Sequence, residues 1–265
     1  MYSTYQLAKK YVSYCLHASN GKGHGIHSPF VFDFVNGVLN DRKAYAEYEP
    51  VEALRKQLLQ DATLLHIHDM GAGSLAAPHK RKRVSAIARH VIKRRKWAQL
   101  LFRMVRHYQP ETMVEMGTSL GVTSAYLALA NPQGFVTTME GSEQVAAVAR
   151  KNFAALSLPN IKLVTGNFDA TLPQLLEHIP PIDLAFVDGN HSREPTWQYF
   201  HLLLNRVHPS SMIIFDDIHW SREMEQAWEA VKAHPAVKLS IDLFFIGIVF
   251  FREEFKVKQH FVIRY

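Results

Sequence analysis

Three groups of residues in this chain have types and spacings that can do chemistry. The first is Glu115-Met116-Gly117-Thr118-Ser119-Leu120-Gly121-Val122-Thr123, where two glycines let the backbone pass close under a ligand. A helix opening at the end of this run would turn its first N–H groups toward an anionic part of that ligand. Taken alone the run has an equally good structural reading, because a strand that turns into a helix often needs a glycine. The second group is Glu140-Gly141, 23 residues beyond Gly117, where a nucleoside-binding fold carries the acid that accepts the ribose hydroxyls. The third comprises Asp188-Gly189-Asn190-His191 and Asp216-Asp217. Adjacent carboxylates repel one another unless something positive sits among them, and oxygen ligands converging from neighbouring strands suit Mg²⁺ or a similar hard cation. Alternatively, Asp216 and Asp217 cap the next helix and pair with nearby basic groups, and the sequence leaves both readings open.

A fourth run, Asp69-Met70-Gly71-Ala72-Gly73-Ser74, looks even more like a nucleotide loop by its letters. A proline, Pro78, and then a basic stretch follow where a phosphate-facing helix would start, and no acid follows within forty residues. It is assigned to a loop of an N-terminal extension.

These groups need elements to hold them. From Thr112 onward, short apolar runs alternate with helical patterns: strands over 112–116, 135–139, 161–164, 182–187, 211–215 and 237–242, helices over 122–130, 144–153, 171–176, 195–206 and 222–233. Such alternation builds a parallel, doubly wound α/β sheet with helices on both faces. In that architecture ligands bind at the carboxyl ends of the strands, where all three groups fall. The final runs, 243–252 and 259–264, have no helix between them and read as an antiparallel closing pair. Upstream, Leu7, Ala8, Tyr11, Val12, Cys15 and Leu16 recur at helical spacing, Ser28-Pro29 starts a second helix, and a third opens near Pro50. Two more helices share 84–108, with a slip in period near 94–96 and the basic residues expected on the solvent faces.

The chain has 265 residues and a net charge of +6, with 48% hydrophobic and 20% charged residues, so it can bury a large core and is not disordered. The basicity is local: between Asp69 and Glu111 there are eleven Lys or Arg and no acid, leaving 19 basic against 24 acidic residues elsewhere. One cysteine, Cys15, excludes an internal disulfide and a multi-cysteine zinc site. Without a run of about 20 apolar residues or a signal-like N-terminus, the expectation is a soluble cytoplasmic protein with no membrane partner.

In order and spacing, Glu-x-Gly-x-Ser-x-Gly-x-Thr at 115–123, Met139-Glu140-Gly141, Gly166-Asn167-Phe168-Asp169, Phe186-Val187-Asp188-Gly189-Asn190-His191 and Phe215-Asp216-Asp217 resemble the class I S-adenosylmethionine-dependent methyltransferases. Similarity is greatest to the branch with catechol-type and sugar O-methyltransferases, and it covers about residues 95–255. The resemblance implies a Rossmann-like, mostly parallel seven-stranded sheet with an antiparallel closing strand. It implies a transferase core over 95–265 behind a mostly helical extension or lid over 1–94. It also implies roles. Gly117, Thr118, Ser119 and Gly121 would approach the methionine part of the cofactor, Thr123 would hold its carboxylate, and Glu115 would help orient its amino group. Glu140 and Gly141 would meet the ribose, and Asn167 and Phe168 would flank the adenine. Asp188 would lie near the amino group and also bind a divalent cation, with Asp216 and Asp217 completing the ligands.

Two departures qualify this. Catechol-type enzymes carry Asp-Asn where this chain has Asp216-Asp217, which is closer to the sugar and macrolide enzymes. Their proposed base, a lysine three residues after the fourth-strand aspartate, is replaced here by His191. A neutral imidazole is a fitting base near pH 7, and it is equally a structural hydrogen-bonding group. The expected activity is methyl transfer to a hydroxyl of a small molecule, with Asp188 and His191 at the reacting end and S-adenosylmethionine and a divalent cation, Mg²⁺ or another, as cofactors. Two alternatives remain: RNA as acceptor, contacted through 79–106 with Trp97 and Tyr108, and a nucleoside-binding protein without turnover. A homo-oligomer is compatible with all three. His24 to Phe32 is either a lid or acceptor wall, with Phe34 behind it, or plain helix packing with a capping serine.

Overall fold

The computed structural model describes residues 1–23, 26–67 and 80–265; the glycine run at 69–74 and His24-Gly25 lie outside the described residues. In chain order the first elements are α1 (Thr4–His17), α2 (Pro29–Phe34), α3 (Tyr48–Gln60), β1 (Leu64–Ile67), β2 (Lys80–Arg83), α4 (Val84–Val91) and α5 (Arg95–Tyr108). There follow β3 (Thr112–Met116), α6 (Val122–Ala130), β4 (Phe135–Glu140), α7 (Glu143–Ala155), β5 (Ile161–Thr165), α8 (Phe168–His178), β6 (Ile182–Val187) and α9 (Arg193–Leu204). The last are β7 (Val207–Asp216), α10 (Arg222–Ala233), β8 (Leu239–Asp242), β9 (Ile246–Phe250) and β10 (Gln259–Val262). The expected alternation of strand and helix is present. The chain forms two compact units, Met1–Asp41 with Leu176–Tyr265, and Arg42–Leu175.

Within Arg42–Leu175, β3, β4 and β5 pair in parallel, with Thr112 opposite Phe135 and Val136 opposite Ile161. The slip near 94–96 is a true break between α4 and α5. Expected on a solvent face, Arg103 is instead buried, because α5 buries Leu100 through Val105 without interruption and takes Arg103 in with them. Periodicity gave no sign of the β1–β2 hairpin, since Lys-Arg-Lys-Arg is poor strand sequence and only the pairing of Leu64 with Arg83 and Ile67 with Lys80 makes it one.

In the other unit the strands follow the order β10-β8-β9-β7-β6. Strand β6 is apolar apart from half-buried Asp183, with Ile182, Leu184, Ala185, Phe186 and Val187 all buried, as suits a parallel strand covered on both faces. The closing pair differs from expectation. Strand β9 runs antiparallel between β7 and β8, so both its edges are already taken, and β10 adds to the free edge of β8 in parallel. That makes eight strands outside the hairpin among the described residues, where seven were expected.

The second helix starts as expected, with Ser28 Oγ accepting from Val31 N–H. Phe34 is fully buried, and Phe30 packs edge-on against Phe250 and Phe255 beneath the Arg252 guanidinium. Phe34 is core and half-buried Phe30 is packed among rings, which favours the packing reading of this segment.

Candidate active site

In the unit Arg42–Leu175, the turn after β3 is fixed from below by backbone: Gly117 and Thr118 N–H both donate to the Met139 carbonyl, at 3.0 and 2.9 Å. Gly117 has φ 106° and Gly121 φ 81°, conformations that other residues adopt only under strain. Gly121 has a second reason to be glycine, since an added Cβ would sit 2.5 Å from the Phe153 ring of α7. Gly121→Ala is therefore expected to lower stability by about 2 kcal/mol, through overpacking and backbone strain together. A urea-unfolding midpoint that did not move would contradict this account of the turn.

Beneath the turn runs a buried chain of hydroxyls. Thr118 Oγ1 lies 2.6 Å from Thr138 Oγ1, which donates at 2.6 Å to the Glu115 carboxylate, and Ser124 of α6 donates to the same carboxylate. Glu115 thus ties β3, β4 and α6 together. Thr123 is buried in the first turn of α6. Glu140 closes β4 with each carboxylate oxygen held by backbone: Oε2 accepts from Ser119 N–H at 2.8 Å and Oε1 from Ser142 N–H at 2.9 Å. A carboxylate oxygen has two acceptor positions, so this anchoring is compatible with hydroxyl donors on its other side. Asn167 is exposed and opens α8, its Oδ1 accepting from Asp169 N–H at 3.0 Å; Phe168 follows, half-buried.

In the other unit, β6 and β7 run in parallel and end at Val187 and Asp216. The ligand atoms of Asp188, His191 and Asp216 lie within 4.8 Å of one another, with Asp216 buried and the other two half-buried. His191 Nε2 is 3.4 Å from Asp188 Oδ1. Burial alone would depress the imidazole pKa. The hydrogen bond and charge of Asp188 outweigh that, with the charges of Asp216 and Asp217 adding to it, and push it up to about 9. Beside these acids the imidazole holds its proton more tightly than a free histidine does.

The gathered set is therefore not quite the expected one. Asp188 and Asp216 come together, but their third partner is His191; Asp217 takes a left-handed turn at φ 53° and contributes only its field. Asp217 lies past the end of β7, where the backbone has left the extended conformation of the strand. The spacing of Asp188 and His191, three apart, was the signal available in the sequence. A further signal is conformational and invisible there: Ser119, Asn190 and Asp217, one to three residues past the ends of β3, β6 and β7, all have positive φ. Strain of this sort concentrates at functional sites.

Residues 114–218 match the family profile described as a methyltransferase domain. The O-methyltransferase imqG of Aspergillus flavus is 28% identical over 111 residues, 40% of this chain and 44% of that protein, so the chain spans less than half of this curated relative. Among solved structures, the SAH-bound methyltransferase PaMTH1 of Podospora anserina superimposes with a TM-score of 0.58 at 13% identity, covering 96% of this chain and 98% of that one. The O-methyltransferase of Bacillus cereus in complex with SAH gives a TM-score of 0.54 at 21% identity, covering 83% and 97%. At such identities the likeness speaks for the fold, and the profile speaks for the loops between β3 and β7. Residues 114–218 thus match the methyltransferase-domain family, and the chain shares the Rossmann-like fold of these solved methyltransferases.

Proposed function

We propose that this chain is an S-adenosylmethionine-dependent O-methyltransferase acting on a hydroxyl of a small molecule with the help of a divalent cation. The observation that carries the reading is the gathering of Asp188, His191 and Asp216 after two parallel strands. Two carboxylates and an imidazole are a donor set that fits Mn²⁺ or a similar divalent ion better than Mg²⁺, which prefers oxygen alone. S-adenosylmethionine supplies a sulfonium methyl open to in-line attack, and the cation supplies charge that lowers the pKa of an acceptor hydroxyl.

The chain's own residues bind and orient. Glu140, held rigid by Ser119 and Ser142, takes the ribose hydroxyls, with Gly141 keeping the backbone close. Gly117, Thr118, Ser119 and Gly121 line the methionine portion, Thr123 meets its carboxylate, and Glu115 positions the turn through Thr138 and Thr118. Asn167 and Phe168 border the adenine, Phe168 with its ring. In this reading 95–265 is the transferase core and 1–94 its extension. Against RNA as acceptor, Trp97 of the basic segment is only 8% exposed and cannot stack on a base. Among the described residues no helix is long and apolar enough to cross a membrane.

A thermal-shift series tests the reading. S-adenosylmethionine and Mn²⁺ are each expected to raise the melting temperature, because each binds the native state alone. Glu140→Ala is expected to weaken S-adenosylmethionine by about 10- to 100-fold, as the loss of charge-assisted hydrogen bonds implies, and to leave the Mn²⁺ shift intact. Absence of any shift with either S-adenosylmethionine or S-adenosylhomocysteine would remove the assignment.

A further inference from the structure

The basic segment is not used by the reaction above, and the structure gives it a shape. In the β1–β2 hairpin, Leu64 lies opposite Arg83 and His66 opposite Arg81. Directly opposed residues share a face, and alternate residues along a strand return to it, so Leu64, His66, Arg81 and Arg83 occupy one side of the hairpin. All four are exposed, whereas Leu65 on the other side is buried. Leu64 thus stands 48% exposed beside arginines on this face, and Lys82, opposite Leu65 on the other, is exposed as well.

The pattern continues along the chain. Helix α4 follows β2 directly and is eight residues long, or about 12 Å. It ends in exposed Arg89, His90 and Val91, the last 53% exposed, and after a three-residue break α5 opens with exposed Arg95 and Lys96. Neither α4 nor α5 has an acidic residue in its first turn, and none occurs anywhere between 70 and 110. Cations with exposed aliphatic side chains among them, and no exposed Phe, Tyr or Trp among the described residues 81–106, match one kind of polyanion better than another. A single-stranded nucleic acid is held by stacking on aromatic rings. A phospholipid surface asks for basic groups that meet its headgroup phosphates and for aliphatic groups that enter the boundary beneath them.

We propose that the outward face of the β1–β2 hairpin, with the α4–α5 junction, docks the protein on an anionic phospholipid surface. The partner is identified by charge complementarity: a strongly basic strip on a chain whose remainder is net acidic orients toward a negative surface and away from neutral ones. Attachment of this kind is peripheral and reversible, and it weakens with salt as the Debye length shortens. It does not depend on the chain being a methyltransferase.

Co-sedimentation of the full chain with vesicles tests the proposal. Binding is expected to vesicles of phosphatidylcholine with about one third phosphatidylglycerol, not to pure phosphatidylcholine, and to fall steeply between about 50 and 300 mM salt. Arg81→Glu with Arg83→Glu is expected to weaken it at least tenfold. Leu64→Ser, which leaves every charge in place, is expected to reduce the part that survives high salt. Arg150→Glu, an exposed charge on α7, serves as the control and is expected to bind as the parent does. Melting temperatures show that each variant is folded. Equal binding to neutral and anionic vesicles, no binding to either, loss of binding in the Arg150 control, or binding to a single-stranded RNA in place of vesicles would each overturn the proposal.

Discussion

Asp216→Asn is expected to lower Mn²⁺ affinity by about 100-fold and methyl transfer by about 10³-fold, with S-adenosylmethionine binding almost unchanged. Asp216 is the most buried member of the Asp188–His191–Asp216 set and ends a strand, β7, whose pairing with β6 and β9 fixes its backbone. An asparagine keeps the volume and one oxygen there but removes the charge, so the effect is electrostatic and the fold is retained. The same substitution at Asp217 is expected to cost less than tenfold, because that side chain acts on the cluster through its field alone. Transfer is read as S-adenosylhomocysteine release across a panel of phenols and sugars, and Mn²⁺ binding by electron paramagnetic resonance. If Asp217→Asn proved the more damaging of the two in Mn²⁺ binding, the ligand set drawn from the structure would be wrong.

Asp242→Ala is expected to destabilise the protein by about 3–5 kcal/mol, roughly 10 °C in melting temperature, without direct effect on either ligand. Asp242 is nearly fully buried at the end of β8 and accepts from Phe244 N–H at 2.8 Å, Trp228 Nε1 at 3.1 Å and His219 Nε2 at 2.8 Å. Truncation leaves two buried donors and the half-buried His219 ring facing a cavity. The other ring nitrogen of His219 lies 3.0 Å from Glu225, which also accepts from Tyr2 Oη at 2.6 Å and from Lys10 Nζ at 2.9 Å, so the network fastens α1 to α10. Burial opposes the charged form of His219, but Asp242 and Glu225 outweigh it and raise its pKa. Burial likewise opposes the charged form of Glu225, which the donors Tyr2, Lys10 and His219 outweigh, holding its pKa below the usual value.

The signs follow from these directions. His219 has a raised folded pKa, so its contribution is complete below the ordinary 6.5 and is lost as pH rises through the folded value. Glu225 has a depressed one, so its contribution is complete above 4.5 and is lost as pH falls through the folded value. Stability from the network is thus greatest at mildly acidic pH, and the alkaline decline should shrink in Asp242→Ala. Calorimetric melting of both proteins between pH 5 and 9 checks it; a decline of equal size in both would show that His219 is not its source.

Much of the framework was legible in the residues. The strands at 112–116 and 182–187 and the helices at 122–130 and 222–233 appear with the boundaries that periodicity predicts, because apolar runs and capping residues are local signals. The glycines at 117 and 121 and the acid at 140 were legible for the same reason: they fall at a strand end or in the turn that follows it, and strand ends can be read from the chain. What the chain could not yield depended on partners distant in sequence. The place of β10 was decided by β9 having both edges occupied, and the strand character of Lys80–Arg83 by pairing with β1. The burial of Arg103 was decided by how α5 packs.

The same division holds at the site. Residue types and the family resemblance singled out Asp188, His191, Asp216 and Asp217 as candidates, and left a capping reading of the two aspartates and a structural reading of the histidine open. Which three share a centre was decided by the direction in which each side chain leaves its strand end, and by the left-handed turn at Asp217. The histidine's protonation is partly local and partly tertiary: Asp188, three residues back in the same loop, is the largest influence raising its pKa, and Asp216 and Asp217, from the end of a separate strand, add to it. Sequence fixes the identity and order of chemical groups through local rules; their convergence and their protonation depend on distances through space, which only the folded chain sets.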